Sequence, residues 1–135
     1  MRFSTQIPGL LPSQRPAKFL VRGKKASSYE YNVAVALDKY QFSYLFQVDH
    51  WGGRRLRGGI VLDFLVFTTP MPTPLWVNGD YFHKGGTQST IDYLQQVLLD
   101  IENRGRWRPA IVLWGKDTET IEAADASIRK VFGVA

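Results

Sequence analysis

The chain has 135 residues, a net charge of +5 and no cysteine, which excludes disulfides, thiolate zinc sites and cysteine nucleophiles. With 44% hydrophobic and 13% aromatic residues it is too apolar to be a disordered chain, and it is long enough to bury the core of one domain. A pI near 9.6 suits a polyanionic partner, of which nucleic acid is the commonest, and equally suits a protein that is merely basic. No apolar run approaches the roughly 20 residues that span a bilayer, and prolines interrupt the N-terminus where a signal sequence would need its hydrophobic stretch. The expectation is a soluble, intracellular protein, neither secreted nor membrane-bound.

Residues 1–26 hold Pro8, Pro12 and Pro16 and no sustained periodicity, which predicts an irregular basic arm. Its cations, Arg2, Arg15, Lys18, Arg22, Lys24 and Lys25, suit either a phosphate backbone or simple solubility. Residues 27–135 are expected to form the folded domain. In SSYEYNVAVALDKY (27–40), Tyr29, Val33, Ala36, Leu37 and Tyr40 recur at helical spacing, and Ser27 with Glu30 forms a capping-box pattern. FSYLFQV (42–48) is aromatic and β-branched, a strand. A turn with glycine pairs around Arg54, Arg55 and Arg57 follows, then GIVLDFLVF (59–67), whose apolar run predicts a buried strand.

The prolines of TTPMPTP (68–74) exclude a helix or central strand and predict a rigid loop. PLWVNGDYFH (74–83) reads as a third strand. Residues 87–105 read as a second helix with an apolar stripe of Ile91, Leu94, Val97, Leu98 and Ile101, stopped by Gly105. PAIVLWG (109–115) reads as a fourth strand. Residues 117–133 read as a last amphipathic helix with Ile121, Ala124, Ile128, Val131 and Phe132 inward. The order α-β-β-β-α-β-α predicts a single α/β domain, a mixed four-stranded sheet flanked by helices.

Asp63 is the residue whose chemistry stands out, because a carboxylate inside an apolar strand is costly unless paired or bound to a metal. Metal ligand, exposed strand end and partner of a distant arginine all remain open for it. Glu30 could orient water above the sheet or simply complete the capping box. His83 could transfer a proton, hold a phosphate or open a loop, and His50 carries the same ambiguity with less support. Asp92, nine residues after His83, is either part of that cluster or a solvated helix residue. Arg54, Arg55 and Arg57, with Arg104, Arg106 and Arg108, form two basic clusters suited to phosphate and expected to flank one site, or else solvated loops. Trp51 beside the first cluster suits packing, or stacking on a base.

The element order and the stretches SSYEYNVAVAL, GGIVLDFLV, PLWVNGDYFH and RWRPAIVLWG resemble the PD-(D/E)XK nuclease superfamily, whose restriction-endonuclease-like fold is then expected here. The resemblance is closest to its very-short-patch-repair branch and to the phage and homing nucleases with an E-D-x-H-D pattern. It covers residues 27–115 and implies a helix glutamate at Glu30, a metal-binding aspartate at Asp63 and a metal-binding backbone carbonyl at Val77. It further implies a histidine at His83, after Tyr81 and Phe82, and a final aspartate at Asp92. Trp76, Val77 and Asn78 stand where many relatives carry an acid-any-lysine tripeptide. The implied function is a phage-encoded or repair-related DNA endonuclease using Mg2+ or Mn2+, acting alone, as a homodimer or in a larger assembly. The alternative is a DNA-binding or viral assembly protein that keeps the fold without cleavage.

Overall fold

The computed structural model describes residues 19–50, 60–78 and 87–134, and of residues 50, 60 and 87–93 the backbone alone. It begins with a small hairpin, β1 (Leu20–Val21) and β2 (Lys24–Lys25), closed by Arg22 and Gly23 at φ 50° and 79°. Positive φ at both central positions is the geometry that matches the twist of a two-residue hairpin. The predicted irregular arm is thus corrected at its end, where strands of two residues are too short to leave a periodic signal; residues 1–18 lie outside the described residues. The hairpin is tied down. Val21 is buried in the core, Arg22 pairs with Asp38 at 3.1 Å and lies 4.4 Å over the Tyr44 ring, and Lys24 Nζ donates to the Phe46 carbonyl at 3.0 Å. Burial first, then Asp38, push the Tyr44 hydroxyl up to about 12.

Helix α1 (Ser28–Lys39) starts as the sequence requires. Glu30 N–H donates to Ser27 Oγ at 3.1 Å, and Ser27 N–H donates to Glu30 Oε1 at 2.8 Å. Strands β3 (Tyr44–His50), β4 (Ile60–Val66) and β5 (Thr73–Val77) form an antiparallel meander. Helix α2 (Thr87–Glu102) then crosses over to β6 (Ile111–Leu113), which runs parallel to β5. A short α3 (Gly115–Thr118) and α4 (Ile121–Phe132) complete the single α/β domain, with sheet order β3-β4-β5-β6. Among the described residues no helix is long and apolar enough to cross a membrane.

Thr73, read as loop, and Pro74, read as both the loop's end and the third strand's start, lie inside β5, a central strand. Proline is tolerated there because β6 first pairs at Leu75 with Ile111, so the missing N–H removes no bond from that ladder. The predicted last helix splits, since Thr120 starts a new cap by accepting from Ala123 N–H at 3.0 Å.

The main core lies between the sheet and the α1–α4 pair, where Val33, Leu37, Phe64, Leu75 and Ile128 are fully buried. A smaller cluster, Leu62, Leu65, Trp76 and Leu99, involves α2. Here the expected stripe is overturned. Leu94, Leu98 and Ile101 are 52%, 53% and 55% exposed, while Leu99 and Asn103 are buried. The inward face of α2 reads Gln95, Leu99, Asn103 at helical spacing, and Asn103 Nδ2 is satisfied by the Leu99 carbonyl at 3.0 Å. In α4, Ala124 and Ile128 are buried as expected, and Ile121 is exposed.

At the α1–α4 contact Lys39 Nζ lies 3.4 Å from Asp125 Oδ1. The Tyr40 hydrogen bond, then Lys39, hold the Asp125 carboxyl below its ordinary 3.8, and Asp125 raises Lys39 above 10.5. A depressed carboxylate stabilises the fold above its unfolded value and loses that contribution as pH falls through the folded one; the raised lysine loses its own as pH rises through its folded value. Asp125→Asn should therefore lower the urea midpoint between about pH 4 and pH 10, with the difference fading in acid below about pH 4. A difference that persists at low pH would assign Asp125 a packing role instead.

Candidate active site

Asp63 sits in β4 between Leu62 and Phe64, both fully buried. Its Oδ2 accepts the Val77 N–H at 2.7 Å. The neighbouring Asn78 N–H reaches across to the Leu113 carbonyl on β6 at 2.9 Å. Strand alternation therefore turns both the N–H and the C=O of Val77 toward β4. The β4–β5 ladder ends at Phe64 with Leu75, and the following rung, Leu62 with Val77, does not form. The Asp63 carboxylate takes the donor that this rung would have used.

The opposite side of β4 is perturbed at the same level. The β3–β4 register passes from Phe46–Phe64 to Val48–Leu62 without a Gln47–Asp63 rung. Gln47 has φ 56°, a strained value for a non-glycine residue, and its side-chain amide donates to the Lys25 carbonyl at 3.1 Å. Pairing is thus interrupted on both sides of Asp63.

The opening so created is a cavity of about 230 Å³ lined by Val61, Asp63, Trp76, Asn78, Gln95 and Gln96, with Val77 beside them. Trp76 is only 8% exposed, and its indole Nε1–H has no partner among the described residues. A buried donor without an acceptor is uncommon and costs about 1–3 kcal/mol unless water or a ligand meets it. The cavity therefore combines one half-buried carboxylate, three amide side chains that both donate and accept, and one unmet donor. Such a set suits a hydrated cation beside an anionic oxygen.

The expected site residues separate under this geometry. Val77 shares the cavity with Asp63. Glu30 is engaged in the capping box, and the cavity lining does not include it. Asp92 precedes Gln95 and Gln96 on α2 by three and four residues; its side chain lies outside the described residues. His83 also lies outside them, in the connection from β5 to α2. Trp51, Arg54, Arg55 and Arg57 lie outside them too, between the paired ends His50 and Ile60, and so does the His50 side chain. Among the described residues no group of three or more His, Cys, Asp or Glu is arranged to hold a metal.

Arg104, Arg106 and Arg108 do not flank Asp63, contrary to the expectation of one site with two basic clusters. Arg108 N–H donates to the Pro72 carbonyl at 2.8 Å, just before β5 begins, whereas Val77 ends that strand. Five residues of strand separate them, about 16 Å. The cause is topological, because a parallel crossover must bring the chain back to the starting end of β5 before β6 can run alongside it. Arg106 is partly occupied at the end of α2, donating to the Glu102 carbonyl at 2.9 Å.

Trp76, Gln95 and Gln96 are the cavity residues that sequence reasoning missed. The signal was available in part, since Gln95, Leu99 and Asn103 recur four apart, but an apolar stripe outweighed it. Comparison of the chain with protein-family models, with curated proteins and with solved structures finds no match.

Glu30 can be assigned by two substitutions. Glutamine at this position still accepts from the Ser27 N–H, so Glu30→Gln should keep the urea midpoint of the parent, while Glu30→Ala should cost about 1 kcal/mol. Equal losses in both variants would show that the carboxylate charge, not the cap, is what the fold uses.

Proposed function

We propose that this protein is a metal-dependent DNA endonuclease of PD-(D/E)XK type that hydrolyses a phosphodiester at the Asp63 end of the sheet. The observation that carries this reading is the Asp63 carboxylate hydrogen-bonded to Val77 N–H, with Val77 C=O turned to the same side, in a polar cavity holding an unmet indole donor. The α-β-β-β-α-β order and the mixed sheet are compatible with a restriction-endonuclease-like fold.

The residues present fit a magnesium-sized cation, which is usually held by one or two carboxylates and keeps several waters. Asp63 would supply the carboxylate, and Val77 C=O with the side-chain oxygens of Asn78, Gln95 and Gln96 the neutral oxygens. Bound there, Mg2+ or Mn2+ would polarise the scissile phosphate and lower the pKa of an attacking water. The chain's own groups then have distinct tasks. Trp76 Nε1–H offers a donor to a phosphate oxygen, which would satisfy it without adding charge. Arg54, Arg55 and Arg57, in the connection between His50 and Ile60, neutralise flanking phosphates at this end. His83, in the connection that follows Asn78, exchanges the proton or holds the phosphate, and Asp92 assists from the start of α2.

A second reading is favoured by the engagement of Glu30 in its cap and by the lack of an acid at Trp76 to Asn78: a DNA-binding or assembly protein without cleavage.

Incubation with plain, mismatched and branched duplex DNA in Mg2+ or Mn2+ separates the two. Asparagine at position 63 keeps an oxygen acceptor for Val77 N–H and loses the charge. Asp63→Asn should hold the urea midpoint near that of the parent and lose cleavage by at least about 100-fold. Asp63→Ala should lose cleavage and also about 1–3 kcal/mol of stability, because Val77 N–H is left unmet. Retained cleavage in Asp63→Asn would remove Asp63 from the mechanism, and binding without cleavage in either metal would establish the second reading.

A further inference from the structure

A second opening lies at the other end of the sheet, about 570 Å³ in volume, where the β4–β5 connection meets the end of α4. Phe42, Phe67, Thr68, Arg108, Lys130 and Phe132 define it, and among the described residues no acidic one lines it. Phe67 is 47% exposed immediately after β4. Behind it the Phe42 and Phe132 rings pack at 5.0 Å. Arg108 and Lys130 are both exposed, and neither forms an ion pair among the described residues.

The walls are held in place. Thr68 Oγ1 donates to the Met71 carbonyl and shares a second hydrogen bond with Thr73 Oγ1, each at 2.7 Å, which folds the β4–β5 connection beside Phe67. The Arg108 main chain is fixed on the Pro72 carbonyl. Lys130 also lies in the last turn of α4, where a cation offsets the helix dipole, so its position has a local reason. Arg108 and Phe67 have no such reason, and they carry the argument.

We propose that this groove binds one unpaired nucleotide of a nucleic-acid strand. An exposed aromatic ring and two unpaired cations lining one groove, with no carboxylate among the described residues, is the arrangement that stacks a base and holds its phosphate. Phe67 is the stacking platform, and Arg108 and Lys130 hold the phosphate. Four residues of β4 separate Phe67 from Asp63, about 13 Å, which matches the rise of about 4 nucleotides in a duplex. A strand seated here is thus within reach of the Asp63 end. The groove needs no metal and no cleavage, so it stands apart from the endonuclease reading.

The test is fluorescence anisotropy of the full chain with a labelled oligothymidylate of about 12 nucleotides in EDTA. Phe67→Ala should weaken binding about 10-fold, and Phe67→Leu should behave like it, since a branched aliphatic cannot stack. Arg108→Ala should weaken binding and reduce the slope of log K against log salt by about 1. Both sites are exposed, and unchanged circular dichroism and urea midpoints would confirm that the three variants fold. A blunt duplex of the same length should bind without sensitivity to Phe67. The proposal is overturned if Phe67→Ala leaves single-strand affinity unchanged, if the duplex shows the same Phe67 dependence, or if thymidine monophosphate alone binds as tightly as the strand. Absence of cleavage by the parent protein in Mg2+ or Mn2+, with strand binding intact, would count against the endonuclease and leave the groove standing.

Discussion

The hydrogen bond from Val77 N–H to the Asp63 carboxylate shapes the end of the sheet where β5 stops. A regular antiparallel meander would carry the β4–β5 ladder one rung further and close the sheet there. Asp63 intercepts the donor instead. Bonds to an ionised acceptor contribute about 1.5–3 kcal/mol, more than the roughly 1 kcal/mol of a neutral ladder bond, so the interruption is locally tolerable. Opposite, Gln47 leaves its own rung and turns its side chain to the β1–β2 hairpin. The result is a pair of strands held together by a side chain at the level where a closed ladder would have excluded water.

That interruption would matter little if α2 covered it with an apolar face. It does not. The helix turns Gln95, Leu99 and Asn103 to the sheet and leaves Leu94, Leu98 and Ile101 in solvent, the reverse of what burial of apolar area alone would select. The arrangement is consistent only if the polar groups facing inward are satisfied by something. Asn103 is, by its own helix. Gln95 and Gln96 face the Asp63 cavity, and Trp76 Nε1–H stands in the same wall without a partner among the described residues. A helix that forgoes apolar burial to present amides beside a carboxylate is placed for a polar occupant, and this favours a ligand site over a purely structural role for Asp63.

The sequence made the elements legible and their orientation less so. The capping box at Ser27 and Glu30, the apolar run around Asp63 and the crossover before β6 are local signals, and each led to the element observed. Pro74 was read at once as the end of the loop and the start of the third strand; it fits inside β5 because the rule against proline in central strands assumes that both ladders run through the position, and β6 starts one residue later. The face of α2 was misread because periodicity gives two candidate stripes and hydrophobicity chooses between them only when the inward face has no polar work to do. For the site, Asp63 and Val77 were identified from sequence and do meet. Glu30 fitted two roles from sequence alone, and its hydrogen bonds now show it engaged in the local one.

The division of basic charge between the two ends of the sheet follows from the same topology. The paired ends His50 and Ile60 lie where β3 stops and β4 starts, and a parallel crossover places Arg108 at the end where β5 and β6 start. The arginines of residues 104–108 are therefore separated from the end of the sheet where Val77 stops by the length of the strands. A polyanion that engages both must run along the sheet rather than sit across one end, which is the path a nucleic-acid strand takes and a compact anion does not. Under the proposed function, extended charge of this kind would give affinity without sequence readout, and selectivity would come from what fits the Asp63 cavity and the Phe67 groove. The Asp63 cavity lies where pairing is interrupted on both sides of β4, and the Phe67 groove where the β4–β5 connection meets the end of α4.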